Sequence, residues 1–165
     1  MSAWRHEQRH AAREAALQIL YQWEIGGASI DDTLAAYWEV RERDPAEGTA
    51  ASVDRDYAAA LARGTAARLS EIDPLIEAQA EHWRLSRMAV IDRLILRLAA
   101  YELRHEPSTP AAVAIDEAIE LARVYSGEDA VRFINGILDA LAKRHGDGDE
   151  RIHEDREEHK DHEGR

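Results

Sequence analysis

The sequence predicts an all-α protein that folds as a single-domain helical bundle of about seven helices. Apolar residues recur at spacings of three and four along most of the chain, which is typical of helices with one buried face. No segment shows the alternation of apolar and polar residues that is typical of a half-buried strand. A chain of 165 residues also fits one domain and is long enough to bury most of its apolar surface in a single core.

The first helix is predicted between residues 3 and 25, where apolar residues recur at helical spacing until Gly26 and Gly27 end the run. Its first half carries three basic residues at intervals of four: Arg5, Arg9 and Arg13. The same face becomes apolar further along, at Ala16 and Leu20. We therefore expect the front half of this helix to overhang the core with its arginines free.

Three shorter helices are predicted to follow. Ser29 with Asp32 three residues later is typical of a helix start, and a third helix is predicted from near Ser52. A fourth is predicted after Asp73, with Pro74 at its first position, because the missing N–H of proline is not needed there.

The organising element is predicted to be a central helix within the stretch from Trp83 to Leu103. Twelve of the sixteen residues from 88 to 103 are apolar, so this helix is expected to be covered on almost every side. Ser86 is its candidate N-cap. Asp92 and Arg93 are spaced as near neighbours of Arg97, one turn further along. A transmembrane segment is not expected, because the run is shorter than ~20 residues and carries charges.

Two more helices are predicted after a turn bracketed by Pro107 and Pro110. Gly127 is expected to stop the first of them. Gly136 lies inside the second and costs ~1 kcal/mol relative to alanine, so it is expected to permit close contact with another helix. The folded domain is predicted to span residues 1–145, and residues 146–165, with one aliphatic side chain, are expected to form a disordered acidic tail that contains histidines.

Composition excludes some classes of function. The chain has no cysteine, which excludes disulfides, thiol catalysis and Cys-based zinc sites. Its net charge of −12 argues against indiscriminate binding to nucleic acid. Nine acidic and four basic residues lie after Gly146, however, so about 5 of the negative charges belong to the tail and a local basic patch is compatible with the rest. The first ten residues are polar and predict no secretory signal, so a cytoplasmic location is expected.

One catalytic motif occurs, the H-E-x-x-H pattern at residues 6–10, which on a helix places two imidazoles on one side as in zinc hydrolases. A catalytic zinc also needs a third protein ligand and a cleft, for which the sequence offers no evident source. We therefore interpret His6 and His10 as part of the same strip as the arginines. The tail histidines are interpreted as solvated, and without a phosphate loop or a G-x-S-x-G motif we expect no enzyme, metal or cofactor.

Four stretches carry long, ordered patterns. They are A-R-x-x-A-L-Q-x-L-Y-Q-W-E from Ala12, W-x-L-x-R-M-x-x-I-D-R-x-I-L-R-L-A-x-Y-E-L from Trp83, A-I-D-E-A-I-E-L-A from Ala114, and F-I-N-G-I-L-D from Phe133. Together, over about residues 9 to 141, they resemble the NusB family of bacterial transcription antitermination factors. The resemblance implies two packed helical halves without catalysis. It also implies binding of boxA-type single-stranded RNA with a small ribosomal protein acting as NusE, in the RNA polymerase antitermination complex that transcribes ribosomal RNA operons.

The resemblance also implies site residues. The arginine-rich first helix of the family falls on Arg5, Arg9 and Arg13, with His10 on the same strip. Four further residues match positions near the RNA path: Tyr21, Tyr125, Asp129 and Phe133. Asp92 matches an acidic position that faces the ribosomal protein. The chain departs from the family where it has histidines and spaced arginines in place of a densely basic motif.

Two alternatives follow from the residues themselves. The acidic charge balance is compatible with a helical protein–protein scaffold that makes little direct contact with RNA. By residue type alone, Tyr21 is typical of a half-buried core tyrosine and Phe133 of a core phenylalanine. An exposed helix face is compatible with either a homodimer or the ribosomal partner, and the pattern does not distinguish them.

Overall fold

The computed structural model describes residues 2–44 and 53–158 of the chain, with side chains described from residue 3 to 44 and from 53 to 146. Within these residues the chain forms seven α-helices, one 3₁₀ turn over Leu85–Arg87 and no strand. The helices are α1 (Ser2–Gly26), α2 (Ile30–Arg43), α3 (Arg55–Ala67), α4 (Leu69–Gln79), α5 (Val90–His105), α6 (Ala111–Tyr125) and α7 (Glu128–Glu158). The prediction of an all-α bundle of about seven helices is confirmed.

Helix α5 is the element around which the others pack. It contacts α1, α3, α4, α6 and α7. Every residue from Leu94 to Glu102 is buried, and in a run longer than two turns this means that no side of the helix faces water. Helices α1, α2 and α3 pack on one another, while α7 packs on both α4 and α6. Helix α5 therefore joins two helical halves.

Side-chain caps define the starts of α2 and α3. The backbone N–H of Asp32 donates to Ser29 Oγ at 3.1 Å, which confirms the predicted start of α2. Helix α3 begins at Arg55, where the backbone N–H of Tyr57 donates to Asp54 Oδ1 at 2.9 Å. Ser52, near which this start was expected, lies outside the described residues.

Two predicted helix starts are wrong. Helix α5 begins at Val90 rather than near Ser86, because non-helical backbone at Met88 and Ala89 separates it from the 3₁₀ turn that contains Ser86. Pro74 lies inside α4, not at its first position. The proline removes the partner of the Ser70 carbonyl, and this residue is exposed, so water can satisfy that carbonyl.

The spacing of the charged residues of α5 suggested contacts within the helix. In the structure they pair with residues of other elements instead. Arg97 donates through Nε and Nη2 to the two carboxylate oxygens of Asp73 on α4, each at 2.8 Å. Arg93 Nη2 donates to Glu24 Oε1 on α1 at 3.0 Å. Asp92 Oδ1 accepts a hydrogen bond of 2.6 Å from the hydroxyl of Ser126, between α6 and α7. The contacts of Arg93 and Arg97 tie α1 and α4 to α5.

Helix α7 continues past residue 145, where the folded domain was expected to end, and reaches Glu158. Residues from 146 onward are mostly charged, and glutamate, arginine and lysine are good helix formers. The domain boundary at residue 145 stays a prediction. Residues 159–165, including two of the tail histidines, lie outside the described residues. No helix in the described parts of the chain is long and apolar enough to cross a membrane.

The close approach expected at Gly136 occurs at a different glycine. A Cβ atom built on Gly136 has no neighbour within 4 Å, whereas one built on Gly64 of α3 would lie 2.1 Å from Cζ of Tyr101. The Tyr101 ring is buried and stacks on His105, with 5.2 Å between the ring centroids. Gly64 is therefore the position where α3 and α5 require the absence of a side chain.

The two glycines predict opposite effects of alanine on stability. Gly136→Ala is expected to raise the free energy of unfolding by ~0.5–1 kcal/mol, because alanine is the better helix former and the space beside the residue is open. Gly64→Ala makes the same change in α3, but its methyl group would overlap the Tyr101 ring, so we expect a net loss of ~1–3 kcal/mol. Urea unfolding measures both. Stabilisation by Gly64→Ala would show that the ring moves aside at little cost.

Candidate functional site

Helices α1 and α6 run side by side in the same direction. His10 of α1 contacts Glu117 of α6, and eight residues further on Gln18 Nε2 donates to the Tyr125 hydroxyl at 2.7 Å. In both pairs the two partners are 107 positions apart in the sequence, so the two helices keep the same register over these eight residues. With a rise of 1.5 Å per residue, the pairs mark two levels about 12 Å apart along a shared seam.

The lower level contains a buried polar cluster, which we call the Arg13 cluster. Its members are Arg13, Tyr57, Glu102, Thr109 and Glu117. Arg13 Nε donates to both oxygens of Glu102, at 2.8 and 3.0 Å, and Nη2 donates to Glu102 Oε1 at 2.5 Å. The Tyr57 hydroxyl also donates to Glu102 Oε1, at 2.7 Å, and lies 3.0 Å from Thr109 Oγ1. The cluster therefore joins α1, α3 and α5.

Within this cluster the pKa values of both Arg13 and Tyr57 are raised. Burial lowers the pKa of Arg13, but the hydrogen bonds and charge of Glu102, with smaller contributions from Tyr57 and Glu117, outweigh it and raise the pKa. Burial raises the pKa of Tyr57 to about 12; its hydrogen bond with Thr109 opposes this shift and Glu102 adds to it. The guanidinium is thus charged and the phenol protonated at neutral pH, as their hydrogen bonds to Glu102 require.

His6 and His10 both face Glu117 on α6. His6 Nε2 lies 3.4 Å from Glu117 Oε1, and His10 Nδ1 contacts Glu117 Oε2. Glu117 itself is 6% exposed. Across residues 2–44 and 53–158, no group of three or more His, Cys, Asp or Glu side chains is placed to hold a metal ion. The two histidines therefore hold the start of α1 against α6.

The expectation of three free arginines on α1 is wrong for Arg13. Arg13 is 2% exposed because its guanidinium is enclosed by Glu102. Arg9 is half-buried, with its guanidinium carbon 4.4 Å from the centre of the Tyr57 ring. Arg5 is exposed. Of these three arginines, Arg5 and Arg9 are available to a ligand in solution.

The upper level of the seam opens into a groove of about 760 Å³, which we call the first groove. Its lining includes Tyr21 and Tyr125, two of the predicted RNA-path residues. Tyr21 is 44% exposed. The Tyr125 hydroxyl is held by Gln18 and donates to Glu14 at 2.6 Å, and burial raises its pKa. Arg41 Nη2 also donates to Gln18, at 2.9 Å, which brings a cation to the groove.

A second groove of about 470 Å³ adjoins the first, and Ala89 lines both. Three predicted site residues line this second groove: Asp92, Asp129 and Phe133. The residue expected to face the ribosomal protein and two residues expected near RNA therefore share one groove. Helix α5 supplies Asp92 at its start, and α7 supplies the other two from its first two turns.

Sequence reasoning missed several residues of this region. Glu102 and Glu117 are buried, and an acid on the buried face of a helix signals a buried basic partner. Gln18 lies in the first matched stretch, but its role depends on two tyrosines and an arginine from other helices. Trp83 was placed only at the start of the central stretch, yet it lines the second groove and is 57% exposed.

Comparison with known sequences finds one family. The sequence model of a family described as the NusB family matches residues 10–143. A protein of Solibacter usitatus named transcription antitermination protein NusB is 44% identical over 141 residues, covering 82% of this chain and 88% of the relative. The protein of the same name from Sorangium cellulosum is 43% identical over 138 residues, covering 84% of this chain and 94% of the relative.

Solved structures of the same kind share the fold. NusB from T. maritima matches with a TM-score of 0.69 and 37% identity, covering 82% of this chain and 90% of that one. A crystal structure of the antitermination factors NusB and NusE in complex with double-stranded RNA matches with a TM-score of 0.68 and 27% identity. That match covers 87% of this chain and 99% of the other.

The Arg13 cluster predicts a large effect of one buried charge on stability. Arg13→Ala leaves Glu102 buried without its main partner, so we expect the free energy of unfolding to fall by about 3–5 kcal/mol. Arg123→Ala is the matched control, because Arg123 pairs with Glu120 on the exposed face of α6 and should cost less than about 1 kcal/mol. Urea unfolding measures both variants. Equal effects would mean that water reaches Glu102.

Proposed function

Because this chain belongs to the NusB family of non-enzymatic transcription antitermination factors, we propose that it binds boxA-type RNA together with a small ribosomal protein acting as NusE. It acts in this way within the RNA polymerase antitermination complex that transcribes ribosomal RNA operons. The family match over residues 10–143 carries the proposal. A similar structure that contains NusB, NusE and RNA supports both partners.

The proposed RNA path begins at the exposed start of α1 and follows the seam with α6. Arg5 and Arg9 contact phosphates there, with His10 beside them. The path continues to the first groove, about 18 Å further along α1 for the twelve residues between Arg9 and Tyr21. Tyr21 and Tyr125 take bases at this groove, since aromatic side chains bind single strands by stacking. Asp129 and Phe133 continue the path in the second groove.

Arg13 has a different role in this proposal. A phosphate could reach its guanidinium only by displacing Glu102, which would leave a carboxylate buried without a partner. We therefore assign Arg13 to positioning. It holds α1 against α5, so that Arg9 and Arg5, one and two turns earlier, keep their place along the path.

Asp92 is proposed to face the ribosomal protein. It lies at the start of α5 on the wall of the second groove, where it accepts a hydrogen bond from Ser126. A carboxylate there suits a basic partner, as expected for a protein that also binds RNA. RNA and protein partner would then meet at the second groove, which accounts for their joint action.

A second candidate is a helical scaffold that binds the ribosomal protein with little direct RNA contact. Two observations favour it: Arg13 is unavailable to phosphates, and the chain has a net charge of −12. The two candidates differ in the salt dependence of RNA affinity. If the chain is only a scaffold, the ribosomal protein makes the contacts with phosphates. Replacing Arg5 and Arg9 would then not change the salt dependence of RNA affinity.

The RNA path predicts a change in salt dependence. With the ribosomal protein present, the double variant Arg5→Ala and Arg9→Ala should bind a boxA-type single strand more weakly. Its slope of log affinity against log salt should be flatter by ~1.4, because each phosphate contact on a single strand contributes ~0.7. Titrations at several salt concentrations, with and without the ribosomal protein, measure this slope.

Arg63→Ala is the matched control for that titration. Arg63 is an exposed arginine of α3 paired with Asp31, off the proposed path, so its loss should leave the slope unchanged. A slope that ignores the Arg5 and Arg9 substitutions would favour the scaffold. Absence of RNA binding by the wild-type complex would contradict the proposed function itself.

The Asp92 proposal predicts weaker association with the ribosomal protein. Asp92→Lys should reduce that affinity, because it places a like charge against a basic partner, and should leave the melting temperature nearly unchanged. Ser126→Ala is the control, since it removes the hydrogen bond to Asp92 without changing charge. Calorimetric titration measures both affinities. Equal losses would assign the effect to the hydrogen bond and not to the charge.

A further inference from the structure

Trp83 is an exposed aromatic side chain with no part in the core. It lies in the turn between α4 and the 3₁₀ turn, and it is 57% exposed. It lines the second groove and also two smaller hollows of about 310 and 330 Å³. An exposed indole at the junction of three concave surfaces is a typical feature of a binding site.

Trp83 extends the aromatic surface of the second groove. Its ring lies edge-on to that of Phe133, with 6.5 Å between centroids and 70° between planes. This T-shaped contact orients the indole while most of its surface stays open to solvent. Phe133 and Trp83 thus form two adjacent aromatic surfaces at the end of the proposed RNA path.

Three arginines surround this surface. Arg87 lines the second groove, Arg132 the hollow beside Phe133, and Arg84 the hollow beside Glu77. None of the three forms a salt bridge with any residue in the described parts of the chain. Other arginines of the surface, such as Arg43 and Arg123, are paired with acids one turn away. The cations around Trp83 are therefore available to an anionic ligand.

Two of the acidic residues near Trp83 already accept hydrogen bonds within the protein. Asp92 accepts a hydrogen bond from Ser126, and Glu77 Oε1 accepts one of 3.4 Å from the backbone N–H of Leu85. Glu81 and Asp129 are exposed. Carboxylates at such positions can accept hydrogen bonds from the amino groups of bases, so they are compatible with a strand whose phosphates lie on the arginines.

From this combination we propose that Trp83 is an additional base-stacking residue, which takes the nucleotide of a single-stranded RNA next to the one at Phe133. The proposal rests on the RNA-binding function proposed above and extends the path beyond Phe133. Arg87 and Arg132 hold the flanking phosphates. Unpaired arginines around an exposed aromatic surface are the combination that binds single strands through stacking and charge together.

Substitutions at Trp83 separate stacking from other roles. Trp83→Leu keeps an apolar side chain but removes the aromatic face, so affinity of the complex with the ribosomal protein for a boxA-type single strand should fall roughly 5- to 150-fold. The salt slope should not change, because stacking releases no counterions. Trp83→Phe should retain most of the affinity. Melting temperatures close to that of the wild type are expected for both, since the side chain is exposed.

Two further measurements complete the test. The fluorescence of Trp83, taken as the difference between the wild type and Trp83→Phe, should be quenched when the same RNA is added. The double variant Arg87→Ala and Arg132→Ala should flatten the salt slope by ~1.4, whereas Arg63→Ala should not.

Each outcome bears on the inference. Wild-type affinity in Trp83→Leu, with RNA binding intact, would overturn the role of Trp83 and leave the proposed function standing. Weaker association of Trp83→Leu with the ribosomal protein in the absence of RNA would assign the residue to the protein interface and overturn the inference. Failure of the wild-type complex to bind RNA would overturn both.

Discussion

The ion pair between Arg13 and Glu102 is the interaction on which the arrangement of this bundle depends. Both side chains are almost fully buried, and two charges leave water at a large desolvation cost unless their hydrogen bonds are satisfied. Three N–H···O contacts between them and the hydroxyl of Tyr57 satisfy the carboxylate. Arg13, Tyr57 and Glu102 come from α1, α3 and α5, so their hydrogen bonds set how the first helix lies on the central one. Apolar contacts alone supply this specificity weakly.

The functional surface follows from that placement. With α1 held on α5, its neighbour α6 runs parallel to it, and the contacts of His10 with Glu117 and of Gln18 with Tyr125 occur at successive levels. Tyr21 and Tyr125 then share one groove, and Ala89 connects it to the groove that holds Asp129. The same placement withdraws Arg13 from the surface, so the strip offers fewer cations than its sequence suggests. On the RNA path proposed above, aromatic contacts therefore carry a larger share of the affinity.

Local patterns predicted the elements better than their ends. The apolar run of α5 was sufficient to identify a helix buried on every side, and the serine and aspartate at Ser29 and Asp32 were sufficient to place a cap. The predicted start of α5 and the predicted place of Pro74 in α4 were wrong, because both depend on how neighbouring turns pack. Gly136 and Gly64 both lie inside helices, and the sequence does not show which of them another helix approaches closely. The ring of Tyr101, thirty-seven residues from Gly64, makes the difference.

The sequence by itself determined the fold class, the central helix and the family, because helical periodicity and long ordered motifs are properties of the chain alone. Only the tertiary structure decided which charged residues are free. Arg5, Arg9 and Arg13 are indistinguishable in spacing, yet Arg13 is enclosed by a carboxylate 89 residues away and Arg5 is exposed. The burial of a charge depends on what other helices bring to it, and the Coulomb and hydrogen-bond terms that compensate its desolvation act between residues distant in sequence.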